Sequence, residues 1–179
     1  MVNSLLYEYN GETLIREKEY KTIGYASVGY DYNNDLYIGK YNIKLFWVDT
    51  IKMTKLYEFG VPMFETQQDL EYYNGYVFDA ATDFGAPSKY QVYSFYEGYQ
   101  LIYVYDAHLD KNNNPTKNFG RLIGRFIMKG FGELESLSFR HGYAYIGFAQ
   151  KGYNFYKIEY NKLISETKIF SWIDKNNDI

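Results

Sequence analysis

Two short segments place carboxylates and amides at matching points along the chain. Gln67-Gln68-Asp69-Leu70-Glu71 leads to the turn pair Asn74-Gly75, and Gly132-Glu133-Leu134-Glu135-Ser136 leads to His141-Gly142. Aligning the two turns sets Gln68 opposite Glu135. Two carboxylates flanking a glycosidic bond do acid and base work on it. The same side chains hold a hard cation through oxygen, or exchange hydrogen bonds with sugar hydroxyls. A fourth use is structural, with Glu and Gln tying adjacent sheets together through backbone hydrogen bonds. Gln68, Glu71, Glu133 and Glu135 are therefore ligand-binding candidates, with the structural use beside them, and no residue is assigned a catalytic role.

Aromatic side chains are the second resource. Tyr 23, Phe 13 and Trp 2 make the chain 21% aromatic. Tyr is an amphipathic contact residue at binding surfaces, which adds Tyr143 to the candidates. Trp47 and Trp172 are each able to stack on a sugar ring or to pack into a core, and Trp47 is carried as the stacking candidate. Lys151-Gly152-Tyr153-Asn154-Phe155-Tyr156-Lys157 interleaves bases and aromatics as single-stranded nucleic-acid binders do. A net charge of −3 argues against a phosphate-backbone partner.

Other chemistry is sparse. The chain has no Walker loop, no G-x-S-x-G elbow and no H-E-x-x-H. Gly130-Phe131-Gly132 starts like a dinucleotide fingerprint but runs on into Glu133-Leu134-Glu135 and a strand. His108 and His141 sit in turn-like settings and read as solvated or hydrogen-bonded residues rather than ligands. Three loops repeat an alternating spacing of oxygen side chains: Asp31-Asn33-Asp35, Asp110-Asn112-Asn114 and Asp174-Asn176-Asp178. A calcium loop starts this way but needs Gly at its sixth position and Glu at its twelfth. Neither is supplied, so turn chemistry is the better account. No cofactor is expected, with calcium as the alternative.

The elements that must position these residues are strands. Gly75-Tyr76-Val77-Phe78-Asp79-Ala80, Leu101-Ile102-Tyr103-Val104-Tyr105 and Gly142-Tyr143-Ala144-Tyr145-Ile146-Gly147-Phe148 alternate with period two between turn residues. No stretch repeats apolar residues at helical spacing over three turns, so a long helix is not expected. Asn10-Gly11, Asn33-Asn34-Asp35, Asn74-Gly75, His141-Gly142 and Asn161-Lys162 read as strand-type turns.

Three segments share one rhythm. The first runs through Ser27-Tyr30, Leu36-Gly39, Leu45-Asp49 and Lys55-Phe59. The second runs through Asp69-Phe78, Leu101-Asp106 and Arg121-Phe126, and is swollen by Asp83–Tyr96 and Asp106–Phe119. The third runs through Glu135-Tyr145, Phe155-Glu159 and Glu166-Phe170. A four-stranded unit of roughly 40–45 residues is a β-propeller blade. Leu6-Tyr7-Glu8-Tyr9-Asn10-Gly11-Glu12-Thr13-Leu14-Ile15-Arg16-Glu17 resembles Lys157-Ile158-Glu159-Tyr160-Asn161-Lys162-Leu163-Ile164-Ser165-Glu166, as though the chain begins in mid-blade. The expectation is an all-β, β-propeller-like fold with about three and a half four-stranded blades. A β-sandwich is the alternative. Residues 1–179 would be a single domain, either the C-terminal part of a larger propeller or an arc completed by a homo-oligomer or an additional chain.

Composition agrees with a folded β domain. The aromatic content is too high for disorder. No apolar run approaches the ~18 residues of a membrane span, so no membrane partner is expected. Glu8 and Glu12 fall where a secretion signal needs a basic start and an apolar middle. The absence of Cys removes disulfides, Cys-based zinc sites and thiol nucleophiles.

The repeats, above all Gln68-Asp69-Leu70-Glu71-Tyr72-Tyr73-Asn74-Gly75-Tyr76-Val77-Phe78 and Gly132-Glu133-Leu134-Glu135-Ser136-Leu137-Ser138-Phe139, resemble a particular propeller group over roughly residues 20–171. That group occurs in receptor-binding proteins of phages of Gram-positive bacteria and in helveticin-like bacteriocins. The resemblance implies a host-binding platform on a phage tail, and so a virion location. It also implies recognition of cell-wall teichoic acid and its sugars, and a trimer. The chain departs from the group in lacking a stem domain and some blades. The expected function is a carbohydrate-binding module for a cell-surface glycan or teichoic acid-like polymer. The alternatives are a glycan-processing enzyme and a protein–protein scaffold.

Overall fold

A computed structural model describes residues 5–9, 12–13, 16–21, 27–31, 36–41, 44–49, 55–60, 66–82, 99–129, 133–149 and 154–167. The described residues are all-β apart from one short helix, and their strands form antiparallel sheets. The chain divides into two compact units, Met1–Val61 and Pro62–Ile179.

The first unit holds a hairpin of β1 (Leu5–Tyr9) and β2 (Arg16–Lys21), and a four-stranded meander of β3 (Ser27–Asp31), β4 (Leu36–Tyr41), β5 (Lys44–Asp49) and β6 (Lys55–Gly60). Gly29, Ile38, Trp47 and Tyr57 stand side by side across the meander. Gly29 and Ile38 are buried there. Glu58 lies one residue out of that row, opposite Phe46, and so belongs to the other face. Leu56 is the extra residue of a bulge in β6, between the pairs Trp47–Tyr57 and Val48–Lys55, and is 42% exposed.

The second unit holds a four-stranded meander, β7 (Thr66–Tyr73), β8 (Tyr76–Thr82), β9 (Tyr99–Asp106) and β10 (Leu122–Lys129). A three-stranded meander comes next, β11 (Glu133–Arg140), β12 (Tyr143–Ala149) and β13 (Asn154–Glu159), and then the helix α1 (Tyr160–Glu166). The strands of the three sequence repeats are thus recovered, up to the last one. The turns joining β7 to β8 and β11 to β12 are built alike. Asn74 and His141 have φ of 49° and 50°, and Gly75 and Gly142 both have φ of 78°. Two successive left-handed residues form the tight hairpin turn that matches strand twist. Gly75 is required for a second reason, since a Cβ there would run into the ring of His108.

The core of this unit lies between its two meanders. Phe78, Ala80, Ile102, Val104, Phe126 and Met128 on one sheet form a cluster with Leu134, Leu137, Ala144, Ile146 and Phe148 on the other. The opposite face of the β7–β10 sheet is also buried, through Leu70, Tyr72, Val77, Leu101, Tyr103 and Tyr105. Two charged residues, Asp79 and Arg125, are buried on that face and stand in one cross-strand row with Leu70 and Tyr103.

The helix overturns two expectations. Asn161-Lys162 is not a hairpin turn, and Glu166 ends a helix rather than starting a strand; residues 168–170 lie outside the described residues. The likeness expected between residues 6–17 and 157–166 holds only for the strand at the start of each. The N-terminal copy leads into a hairpin and the other into α1. The reason is the core. A helix sets Tyr160, Leu163 and Ile164 on one side, whereas strand alternation would split Leu163 from Ile164. Leu163 is fully buried in the cluster, with Tyr160 and Ile164 packed against it. Thr167 closes the helix, its N–H donating to the carbonyl of Leu163 at 3.1 Å and its hydroxyl to the same oxygen at 2.9 Å. With seven residues the helix is too short to show a sequence period. Leu163→Ala is expected to lower unfolding free energy by about 2–5 kcal/mol, measured by urea denaturation, while the far-UV signature of the sheets is retained.

Candidate functional site

The sequence alignment of Gln68 with Glu135 has a structural counterpart. In β7 the pairing with β8 slips between Gln67 and Asp69, leaving Gln68 as the extra residue. In β11 the pairing with β12 slips between Leu134 and Ser136, leaving Glu135 as the extra residue. Both bulges stand six residues before a left-handed turn. A bulge takes one residue out of the ladder and re-aims its side chain, and such features gather at functional edges. Gln68 is half-buried and Glu135 is exposed.

The two bulged strands are neighbours and are joined by side chains. Asp69 Oδ2 accepts the Leu137 N–H across the seam at 2.7 Å, and its Oδ1 accepts the N–H of Leu70 at 2.8 Å. Gln100 Oε1, from fully buried Gln100 in β9, accepts the Leu134 N–H at 3.1 Å. The backbone on either side of the Glu135 bulge therefore finds its acceptors in the adjoining sheet. Neither Asp69 nor Gln100 stands out in the sequence as an individual site. The one signal for such ties is a polar residue near a strand start, which the structural use of these segments already implies.

Glu71 sits two residues beyond Asp69, on the same face of β7 by strand alternation. Burial pushes its carboxyl up to about 7, the charge of Asp69 adds to the rise, and a hydrogen bond from the Tyr72 N–H opposes it. Near neutral pH this group changes between proton donor and acceptor, a useful property beside hydroxyls.

Of the remaining candidates, Tyr143 stands away from this seam. Tyr143 pairs with Arg140 at the far end of the β11–β13 sheet, and Lys157 Nζ lies 3.8 Å from its ring centroid. Trp47 belongs to β5 in the other unit, and Glu133 opens β11 opposite Ala149. The side chains of Trp47 and Glu133 lie outside the described residues, as do Trp172, Gly130-Phe131-Gly132 and residues 150–153.

His108 is held as a turn residue. Its Nδ1 and its N–H both lie 3.1 Å from Asp106 Oδ1, and its ring meets Tyr76 edge-on at 4.8 Å. His141 Nε2 accepts from Arg140 Nε at 3.2 Å. The loop of Asp110-Asn112-Asn114 uses its oxygen for folding. Asp110 Oδ1 accepts the N–H groups of Asn112 at 2.8 Å and Asn114 at 2.9 Å. The Asn114 bond, then that of Asn112, holds the carboxyl below its usual range. Asn33, Asp35 and the Asp174-Asn176-Asp178 loop lie outside the described residues. Among the described residues, no group of three or more His, Asp or Glu is placed to hold a metal ion. No described helix is long and apolar enough to cross a membrane. A cleft of about 460 Å³ between β10 and α1, lined by Arg125, Phe126, Ile127, Ser165 and Glu166, contains none of the sequence candidates.

Compared with known proteins, the chain matches no family model and no curated protein.

Two outcomes test the seam. Asp69→Ala leaves the buried-side N–H of Leu137 without its acceptor and is expected to cost about 1–3 kcal/mol in denaturation, with Asp69→Asn costing less. Glu71 has a folded pKa above its unfolded value of 4.5. Between these values the folded protein keeps a proton that the unfolded chain has released, so stability falls as pH rises through that window. Glu71→Gln is expected to flatten that slope, seen as a smaller loss of unfolding free energy from about pH 4 to about pH 8.

Proposed function

We propose that this protein is a binding module for a polyhydroxylated cell-surface polymer, a glycan or teichoic acid-like chain, contacted at the bulged ends of β7 and β11. In this reading the four-stranded meanders are blades of a β-propeller-like architecture, with the β11–β13 sheet as a blade whose outer strand gives way to α1. The single observation that supports the reading is the repeated bulge, which sets Gln68 and Glu135 at equivalent positions on two adjoining first strands. An amide and a carboxylate so placed match the mixed donors and acceptors of sugar hydroxyls, and Glu71 adds a carboxyl that titrates near neutrality. Recognition of this kind is shallow, and useful affinity comes from several copies acting together. A phage-tail role in host recognition is consistent with this chemistry and rests on the sequence resemblance.

The test is binding of labelled protein, free and multimerised on a carrier, to Gram-positive cell walls before and after teichoic acid is stripped. Binding is expected to fall on stripping. Glu135→Gln and Gln68→Ala are each expected to weaken it about 2- to 10-fold, the worth of one hydrogen bond, with the far-UV signature of the sheets retained. Failure to bind cell walls in either format would overturn the proposal.

A further inference from the structure

The seam between β7 and β11 holds a carboxyl in surroundings that do not suit a charge. After the bulge in β7, Asp69, Glu71 and Tyr73 come at every second residue and so share a face. The first and last of the three reach across to β11. Asp69 Oδ2 accepts the Leu137 N–H at 2.7 Å, and the Tyr73 ring stacks on that of Phe139 with centroids 5.0 Å apart and planes 12° from parallel. Glu71 stands between these two contacts. Its cross-strand partner on β8 is Phe78, whose ring centroid lies 4.4 Å from that of Phe139.

The titratable groups on this side of the seam offer Glu71 no counter-charge. From β7 come Asp69 and the phenol of Tyr73, and from β8 the phenol of Tyr76. From β11 come the apolar side chains of Leu137 and Phe139, with Glu135 at the bulge. Arg140 pairs with Tyr143 on the other face of that sheet, where Lys157 also lies. From α1 comes Tyr160, edge-on to Tyr73 at 5.1 Å, its hydroxyl pushed up to about 12 by burial and so neutral. The charge that bears on Glu71 is that of Asp69, of the same sign. Protonated, Glu71 fits this setting. Ionised, it is disfavoured both by burial and by its neighbour, and entry of water relieves both.

We infer that ionisation of Glu71 releases the edge of β11 from β7, breaking the bond from Leu137 to Asp69 while the cluster between the two sheets stays closed. The seam is suited to a local opening of this kind. Asp69, Glu71, Tyr73 and Phe139 are half-buried, whereas Ile102, Val104, Ala144 and Ile146 are fully buried. Burial and Asp69 push the Glu71 carboxyl up to about 7, which sets the change near neutrality. Gln68 and Glu135 ride on the two strands, so a closed seam fixes their spacing and an open one frees it.

The test is backbone hydrogen exchange of the full chain, read amide by amide by NMR and corrected for the intrinsic rate at each pH. In the closed seam Glu71 keeps a proton that it loses on opening, so opening becomes easier as pH rises from 4.5, its ordinary value, through about 7. Protection of the Leu137 N–H is expected to fall about 10- to 100-fold between about pH 5 and about pH 8. At the upper end it is expected to lie about 10-fold or more below that of amides in the β8–β9 ladder. Glu71→Gln keeps the neutral shape and is expected to hold Leu137 protection level across the same range. A Leu137 amide as protected at about pH 8 as those of β8 and β9 would overturn the inference, because the seam would then open only with the whole unit. So would a Glu71→Gln chain whose Leu137 profile follows that of the wild type.

Discussion

The arrangement of the second unit depends on who accepts the backbone N–H groups of β11. This strand lies at the edge of its sheet and is interrupted by the Glu135 bulge, so β12 does not satisfy all of its amides. A buried N–H without an acceptor is costly. Asp69 and Gln100 supply the acceptors for Leu137 and Leu134 from two strands of the neighbouring sheet. These directional bonds set the two sheets at one relative position. The non-directional core of Phe78, Ile102, Leu134, Leu137 and Phe148 then closes around that position.

The same interaction shapes the candidate site. Asp69 is drawn into structure, which places a second carboxyl, Glu71, in a setting where its charge is disfavoured by burial and by its neighbour. The bulged residues Gln68 and Glu135 stand apart from the ladder because the register on either side of them is held. Of the residues in these segments, Asp69 takes a structural role, and Gln68 beside it is the bulged residue of its strand, as Glu135 is of β11.

Repetition in the second unit is faithful where the backbone demands it and loose elsewhere. Turn and bulge recur together because left-handed φ and strand register tolerate few alternatives. Side chains on the faces diverge with what covers them. Ala80, Ile102 and Val104 lie in the cluster between the sheets, whereas at the matching positions Gly147 is buried under the ring of Phe155, and Phe155 and Lys157 are exposed. The last strand of the rhythm gives way to α1, whose Leu163 fills the end of the core.

Local rules of the chain sufficed for the strands, their order, the Asn74-Gly75 and His141-Gly142 turns and the equivalence of Gln68 with Glu135. Each of these rests on alternation or on the φ preference of a few residues, and such information lies within a short window of sequence. The tertiary structure decided the rest. It made Asp69 and Gln100 the ties between sheets, because their oxygens meet N–H groups far away in the chain. It set Tyr143 away from Glu71, because alternation puts Tyr143 on the face of β12 opposite Ala144 and Ile146, which pack in the core. It turned Tyr160–Glu166 into a helix, because burying Leu163 together with Tyr160 and Ile164 outweighs a strand preference in a segment too short to announce its own period.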